Sequence, residues 1–278
     1  MKIDSHQHYW HFNLQDYGWM NDAMDIIRRD FLPDDLKLLL KENGFTGSIA
    51  VQARQSLEET NWLLKLANEH AHILGVVGWV DLCSADAEAQ ISRFAAHPKA
   101  CGLRHVIHDE PDADFMLRKD FVRGVSLLSK YNLTYDILIF HSHLVNTLQF
   151  VDSLSQEQTF VVDHIAKPLI SKGIISPWKE HISELAKRPN VYCKLSGMIT
   201  EADWNNWTPD GIKPYLDVVM EAFGPNRLMI GSDWPVCLVA GTYNQTMQVV
   251  MDYIAQLDAA EQAKIMGGNA VKAYRLKK

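Results

Sequence analysis

Short, almost wholly apolar runs recur along this chain, separated by stretches whose apolar residues return every three or four positions. The runs occupy residues 2–6, 48–53, 74–80, 102–107, 134–140, 160–164, 191–195 and 228–232, and are rich in Val, Ile and Leu. Apolar character on successive residues, rather than on alternate ones, predicts parallel strands covered on both faces. Between them the spacing predicts helices: from Pro33 through Leu36, Leu39 and Leu40 to Gly44, over 58–70, after a Ser84 cap, around Phe121, Val125 and Leu128, and over 144–154, 177–187, 214–223, 244–257 and 259–274. Pro177 and Pro214 suit a first helical turn. Eight strands each followed by helix predict an α/β fold, a (β/α)8 TIM barrel forming a single domain over residues 1–278, since that architecture typically takes ~250 residues. A doubly wound open sheet is the alternative, but the first strand runs into Gln7-His8-Tyr9-Trp10-His11-Phe12 and not into a glycine-rich phosphate turn.

Composition narrows the class without changing that picture. Of 278 residues, 47% are hydrophobic and 22% charged, which excludes a disordered or disulfide-stapled chain. No Pro- or Gly/Ser-rich linker divides it. The formal net charge of −7, with no basic run, disfavours nucleic acid and anionic membrane as partners. No stretch approaches the ~20 apolar residues of a membrane span, and the N-terminus lacks the apolar core of a signal peptide. Cys83, Cys101, Cys193 and Cys237 are scattered without a Cys-x-x-Cys pair, so reduced thiols in the cytoplasm are expected.

In such a barrel the reactive groups gather where strands end. The first strand ends in Asp4-Ser5-His6-Gln7-His8, whose two histidines share a face of an extended chain. The fourth carries Arg104 and His105, the fifth ends in His141-Ser142-His143, and the sixth in Asp163-His164-Ile165-Ala166-Lys167-Pro168. The seventh ends in Lys194-Leu195-Ser196-Gly197 and the eighth in Gly231-Ser232-Asp233-Trp234-Pro235. Polar ends on six of eight otherwise apolar strands are more than solvation requires. Individually, Lys194 is also read as a structural ion-pair partner, and Asp163, next to His164 on an alternating strand, as pointing away from the barrel.

These segments, with Asp109-Glu110-Pro111, resemble the amidohydrolase superfamily, and within it the lactonase branch that includes L-fuconolactonases, L-rhamnono-lactonases and pyrone-dicarboxylate lactonases. They lie in family order over nearly the whole chain, and the Arg104-His105 and Asp-Glu-Pro segments look most like the sugar lactonases of the fuconolactonase type. The resemblance implies hydrolysis of a small-molecule sugar lactone. Binuclear members of the superfamily bridge two metals with a lysine; here the fourth strand offers Arg104, so one divalent ion or none is implied.

Lactone opening requires a deprotonated water, a polarised carbonyl and a protonated leaving alkoxide. Asp233 is assigned as base, helped by a Zn²⁺ on His6, His8 and Asp233, or, without metal, by His6, His8 and His164 as hydrogen-bonding partners. Arg104 is assigned to the carbonyl or a ring hydroxyl, His164 to the carbonyl or the proton. Trp10, His105, Lys167 and Trp234 are assigned to the substrate. Tyr9, Trp10, Phe12, Tyr17 and Trp19, in the segment 8–32, either close over the mouth or plug the space beneath; Trp204 and Trp207 are further candidates for the rim. A metal-dependent decarboxylase of the same superfamily, a phosphoester hydrolase and a non-catalytic sugar-binding barrel are the rival readings.

Overall fold

Each apolar run forms a strand in the computed structural model, which describes residues 1–277. The elements are β1 (Ile3–Gln7), α1 (Pro33–Glu42), β2 (Gly47–Val51), α2 (Leu57–Glu69), β3 (Ile73–Gly78), α3 (Ala87–Ala95), β4 (Ala100–Val106), α4 (Lys119–Ser126), β5 (Thr134–Leu138), α5 (Leu144–Asp152), β6 (Phe160–Val162), α6 (Trp178–Leu185), β7 (Val191–Leu195), α7 (Met198–Glu201), α8 (Pro209–Phe223), β8 (Leu228–Ile230), α9 (Tyr243–Ile254), α10 (Ala259–Ala263) and α11 (Asn269–Ala273). All neighbouring strands pair in parallel, in the order β1 to β8. The expected (β/α)8 barrel is therefore the fold.

The seam between β8 and β1 is closed differently from the other joints. A single parallel bridge joins Gln7 to Trp234, and the amides of Asp233 and His8 donate to the carbonyls of His6 (2.8 Å) and Trp234 (2.7 Å). Asp4 adds a side-chain clasp: its carboxylate accepts from the Ser232 amide (2.9 Å), the Ser232 hydroxyl (2.6 Å) and Tyr243 of α9 (3.2 Å). A Cβ on Gly231 would stand 2.8 Å from the Cβ of His6, so only glycine lets the two strands come this close.

Two helix starts differ from expectation. Thr208 caps α8, which begins at Pro209, so Pro214 lies inside the helix rather than in its first turn. Ser84 does not cap α3; its hydroxyl accepts from the Asp86 amide in a turn before the helix starts at Ala87. In both places a local turn residue outcompetes the periodicity.

The core has two compartments. A large apolar layer fills the space between strands and helices. A smaller cluster of Ile3, Ile49, Val51, Val77, Cys101, Val161 and Met229 packs against Ala270, Ala273 and Tyr274 from α11 and the residue after it. The chain end thus plugs the bottom of the barrel, leaving the opposite end for chemistry. The four cysteines are unpaired, and no helix among the described residues is long and apolar enough to cross a membrane.

Candidate active site

The register of β1 slips between Asp4, opposite Ser48, and Gln7, opposite Ala50: three residues advance against two. Such a bulge re-aims the side chains that follow it, and here His6 and His8 both reach the barrel interior. His6 Nε2 and His8 Nε2 are 3.2 Å apart. Asp233 Oδ1 lies 3.3 Å from His8 Nε2, 3.7 Å from His6 Nε2 and 3.8 Å from His164 Nε2. Side chains from β1, the turn after β6 and the turn after β8 therefore converge on one point, all buried.

Backbone strain aims two of these groups. His164, Ile165, Ala166 and Lys167 are four consecutive residues at φ of 52°, 48°, 61° and 47°. Each left-handed residue costs roughly 1–2 kcal/mol, so the turn persists only because its surroundings hold it. Lys167 N donates to His164 O at 2.8 Å and the Trp178 indole to Ile165 O at 2.7 Å. Asp233 is also left-handed, at φ 56°. Val161 packs in the inner cluster and Val162 in the outer layer, so alternation carried one residue past β6 turns Asp163 inward, and the left-handed backbone from His164 onward brings His164 to the same side. Asp163 accordingly points into the barrel beside His164, correcting the expectation that it faces away.

Beneath the histidines lies a layer of buried charge. Lys194 Nζ stands 2.6 Å from Asp136 Oδ2, 2.9 Å from Asp163 Oδ1 and 3.0 Å from His6 Nδ1. Arg104 Nη1 donates to Asp163 Oδ2 at 2.9 Å, and its Nη2 to the Gln52 carbonyl. Tyr274 donates to Asp136 at 2.8–2.9 Å. Burial pushes the Asp163 carboxyl up, but Lys194, His6 and Arg104 outweigh it and hold it well below the usual carboxylate range. Burial likewise pushes Asp233 up, and His164, His8 and Lys167 bring it below its ordinary value, so it is ionised at neutral pH. Burial drives both His6, with Lys194 adding to it, and His164 well down, so both imidazoles are neutral there.

The donor chemistry fits a divalent cation. His8 Nδ1 is 2.8 Å from the Val51 carbonyl, which only accepts, so Nδ1 carries the proton and Nε2 presents a lone pair. That lone pair faces an ionised carboxylate and a second imidazole nitrogen. The His8 lone pair and the Asp233 carboxylate, 3.3 Å apart, repel unless a cation or a proton lies between them. The separations are close to the ~3.3 Å edge of a tetrahedron built on ~2.0–2.1 Å metal–nitrogen bonds. His6, His8 and Asp233 form one group able to hold an ion; His6, Asp163 and His164 form another.

Above this point opens a cavity of about 170 Å³. His8, His164 and Asp233 form its polar floor, with Arg104, His108, Asp109 and Lys167 around it and Trp10, Trp19, Val106, Leu138 and Val236 as an apolar wall. Of the residues expected to meet substrate, Trp10 and Lys167 line this space. His105 does not. One step along β4 from Arg104, it faces the helices, bonded to Glu110 at 2.6 Å and stacked on Phe115. Trp234 is also displaced: the left-handed turn at Asp233 sends its ring into a plug with Tyr9 and Phe31. Trp204 and Trp207 line a separate shallow groove, and His141 and His143 lie outside the cavity. Arg104 is there, but its two Nη groups are already committed.

Sequence reasoning missed four groups. Asp4 and Asp136 sit inside strands, where no local pattern distinguishes them. His108 follows β4; burial lowers it to about 4, with Lys167 adding to the effect, so it enters the wall as a neutral imidazole. Glu59, in α2, accepts from the amides of Ala53 (2.9 Å) and Arg54 (2.8 Å) and from Tyr17 (3.4 Å), tying two loops at the mouth together. Only the position of His108, a few residues past a strand end, offered a signal.

Known proteins align with this geometry. A family model described as Amidohydrolase matches residues 3–276. The L-fucono-1,5-lactonase of Burkholderia multivorans is 38% identical over 287 residues, covering 99% of this chain and 96% of that protein. The L-rhamnono-gamma-lactonase of Scheffersomyces stipitis is 26% identical over 200 residues, 63% of this chain and 59% of its own length. A crystal structure of an amidohydrolase from Burkholderia multivorans with bound zinc superposes with a TM-score of 0.96 at 38% identity, covering both chains completely. A barrel whose first, sixth and eighth strands deliver two histidines, a third histidine and an aspartate to one point, matched from end to end by that family model, belongs to the amidohydrolase family.

Proposed function

We infer that this protein hydrolyses a sugar lactone, opening an aldono-lactone such as L-fuconolactone to the free acid. The observation that carries this reading is the ionised Asp233 ringed by the nitrogens of His6, His8 and His164 on the floor of a cavity of single-sugar size. The full-length relation to an L-fucono-1,5-lactonase at 38% identity supports the choice of substrate.

In this reading Asp233 takes the proton from the attacking water. A carboxylate is a weak base, so its rate depends on alignment, which the left-handed turn and the β1–β8 clasp provide. As the carbonyl oxygen gains charge, Arg104 and Lys167 on the wall lower its energy. Arg104 acts through its charge, since Asp163 and Gln52 hold its fork; Lys167, paired with Glu201 at 3.1 Å, is the more adjustable of the two. The proton held by Asp233 then passes to the ring oxygen as its bond to the carbonyl carbon breaks. Neutral His164, its Nδ1 2.9 Å from the Ser196 hydroxyl, orients the carboxylate and can carry that proton. His6, His8 and Asp233 would hold one divalent ion, zinc for preference, and the ion would supply a more acidic water and a Lewis acid. Four unpaired thiols suit a cytoplasmic setting.

The test is proton release on a panel of aldono-1,4- and 1,5-lactones, with metal content measured on the same sample. Hydrolysis of at least one lactone is expected. If no lactone is opened and a carboxylated substrate releases carbon dioxide instead, the protein is a decarboxylase and the reading fails.

A further inference from the structure

One motif of the sequence is still without a role: Asp109-Glu110-Pro111, shortly after β4. Its two acids hold two histidines. His105 Nε2 donates to Glu110 at 2.6 Å on the helix side of the strand, and the Glu110 amide donates to the Ile107 carbonyl at 3.1 Å. These bonds tie the tight turn Ile107–Asp109 back to β4. Within that turn His108 Nδ1 lies 2.8 Å from Asp109 Oδ1. A carboxylate accepts, so Nδ1 carries the proton and Nε2 is left with the lone pair. Nε2 has no partner among the described residues and is not sealed inside the protein. The ring rests on Phe140, centroids 4.6 Å apart and planes 33° apart, and lines the cavity next to Val106, Leu138 and Val236.

The wall thus carries a fixed hydrogen-bond acceptor beside an apolar stretch. Burial, with Lys167 adding to it, keeps the ring neutral at pH 7, so the acceptor persists there. The other nitrogen groups of the wall, Arg104 and Lys167, only donate. An acceptor that a bound molecule cuts off from water is costly unless that molecule brings a donor. A sugar lactone brings hydroxyls on ring carbons that take no part in the opening of the ester. We propose that His108 accepts a hydrogen bond from one such hydroxyl and selects lactones that carry it over lactones that lack it, with Asp109 as the positioning residue that fixes its tautomer. This rests on the lactone reading and states what the lactone must present to the wall. Selection follows from the mismatch: an analogue without the hydroxyl excludes water from Nε2 and returns nothing.

The experiment takes the aldonolactone with the highest kcat/KM in the panel and its monodeoxy analogues. The wild type should prefer the parent over at least one analogue by about tenfold or more in kcat/KM. His108→Phe keeps a flat ring on Phe140 and removes the acceptor, and it should bring that preference close to one. Damage to shape alone would slow parent and analogue alike and leave the ratio where it was. The Asp109 side chain is 66% exposed, so Asp109→Ala stays folded. It should reduce the same preference, and reduce it no further in the His108→Phe background. The assignment is overturned by a wild type that opens every monodeoxy analogue as well as the parent, by a folded His108→Phe that retains the preference, or by an Asp109→Ala that lowers it equally in both backgrounds; in each case lactone hydrolysis itself stands. Should His108→Phe not fold, Asp109→Ala decides alone, and an unchanged preference overturns the assignment. A wild type that opens no lactone removes the function and this role of His108 together.

Discussion

At the residue scale the site depends on protonation states that burial imposes. A free histidine near pH 7 is partly charged, but His6 and His164 are held neutral, and His8 is held in one tautomer by a carbonyl. Asp233 alone keeps its charge among them. Asp233→Asn preserves shape and tolerates the left-handed backbone, which asparagine adopts readily. It should lower kcat by about 10²–10⁴-fold with little change in Tm; steady-state rates beside a melting curve check both parts. Glu59 gives a cleaner pH signature. Burial pushes it up to about 7, against the opposing pull of the Arg54 and Ala53 amides. A carboxyl whose native pKa is raised contributes stability that is full below its unfolded value, near 4.5, and is lost as pH rises through about 7. Glu59→Gln mimics the protonated acid at every pH. Its stability relative to wild type should therefore improve as pH is raised from 5 towards 8, by at most about 1.4 kcal/mol per pH unit up to about pH 7; paired melts at pH 5 and pH 8 check this as a rise in the variant's relative Tm.

At the scale of elements, irregular backbone does the aiming. The bulge in β1 turns His6 and His8 inward, and the left-handed turn after β6 brings Asp163 and His164 to the same side. Gly197 shows how little room remains. It sits at φ +64°, and a Cβ there would lie 2.6 Å from His164 Nδ1. Gly197→Ala is therefore expected to push His164 off Ser196 and to strain the turn by about 1 kcal/mol. Activity should fall more than tenfold while the protein stays folded; rates measured beside circular dichroism would show it, and unaltered kcat/KM would mean that His164 does not depend on this contact.

For the whole molecule, the interior is layered: an apolar plug at the bottom, a charge layer above it and the reactive groups at the top. Tyr274 joins the first two layers through its bonds to Asp136. Tyr274→Phe removes a hydrogen bond to a charged, buried group, a loss of about 1.5–3 kcal/mol. The urea midpoint should drop with an unchanged m-value. A midpoint that stays put would mean that Lys194 alone satisfies Asp136.

The local pattern determined the barrel, because parallel strands covered on both faces must be apolar throughout and their length leaves no other period. It also marked His6, His8, His164, Lys167 and Asp233, since polar groups at the ends of apolar strands stand out. It could not say which way residues point once a strand ends. Asp163, His105 and Trp234 went to other faces than expected, because the left-handed turn that starts after Asp163, continued alternation along β4 and the left-handed backbone at Asp233 decide direction, and none leaves a composition signal. Nor could it pair Asp136 with Lys194, 58 residues away, or Asp4 with Ser232, 228 residues away. Those partners meet only when the sheet closes, and it is closure that removes water from them and turns ordinary side chains into a charged, ordered interior.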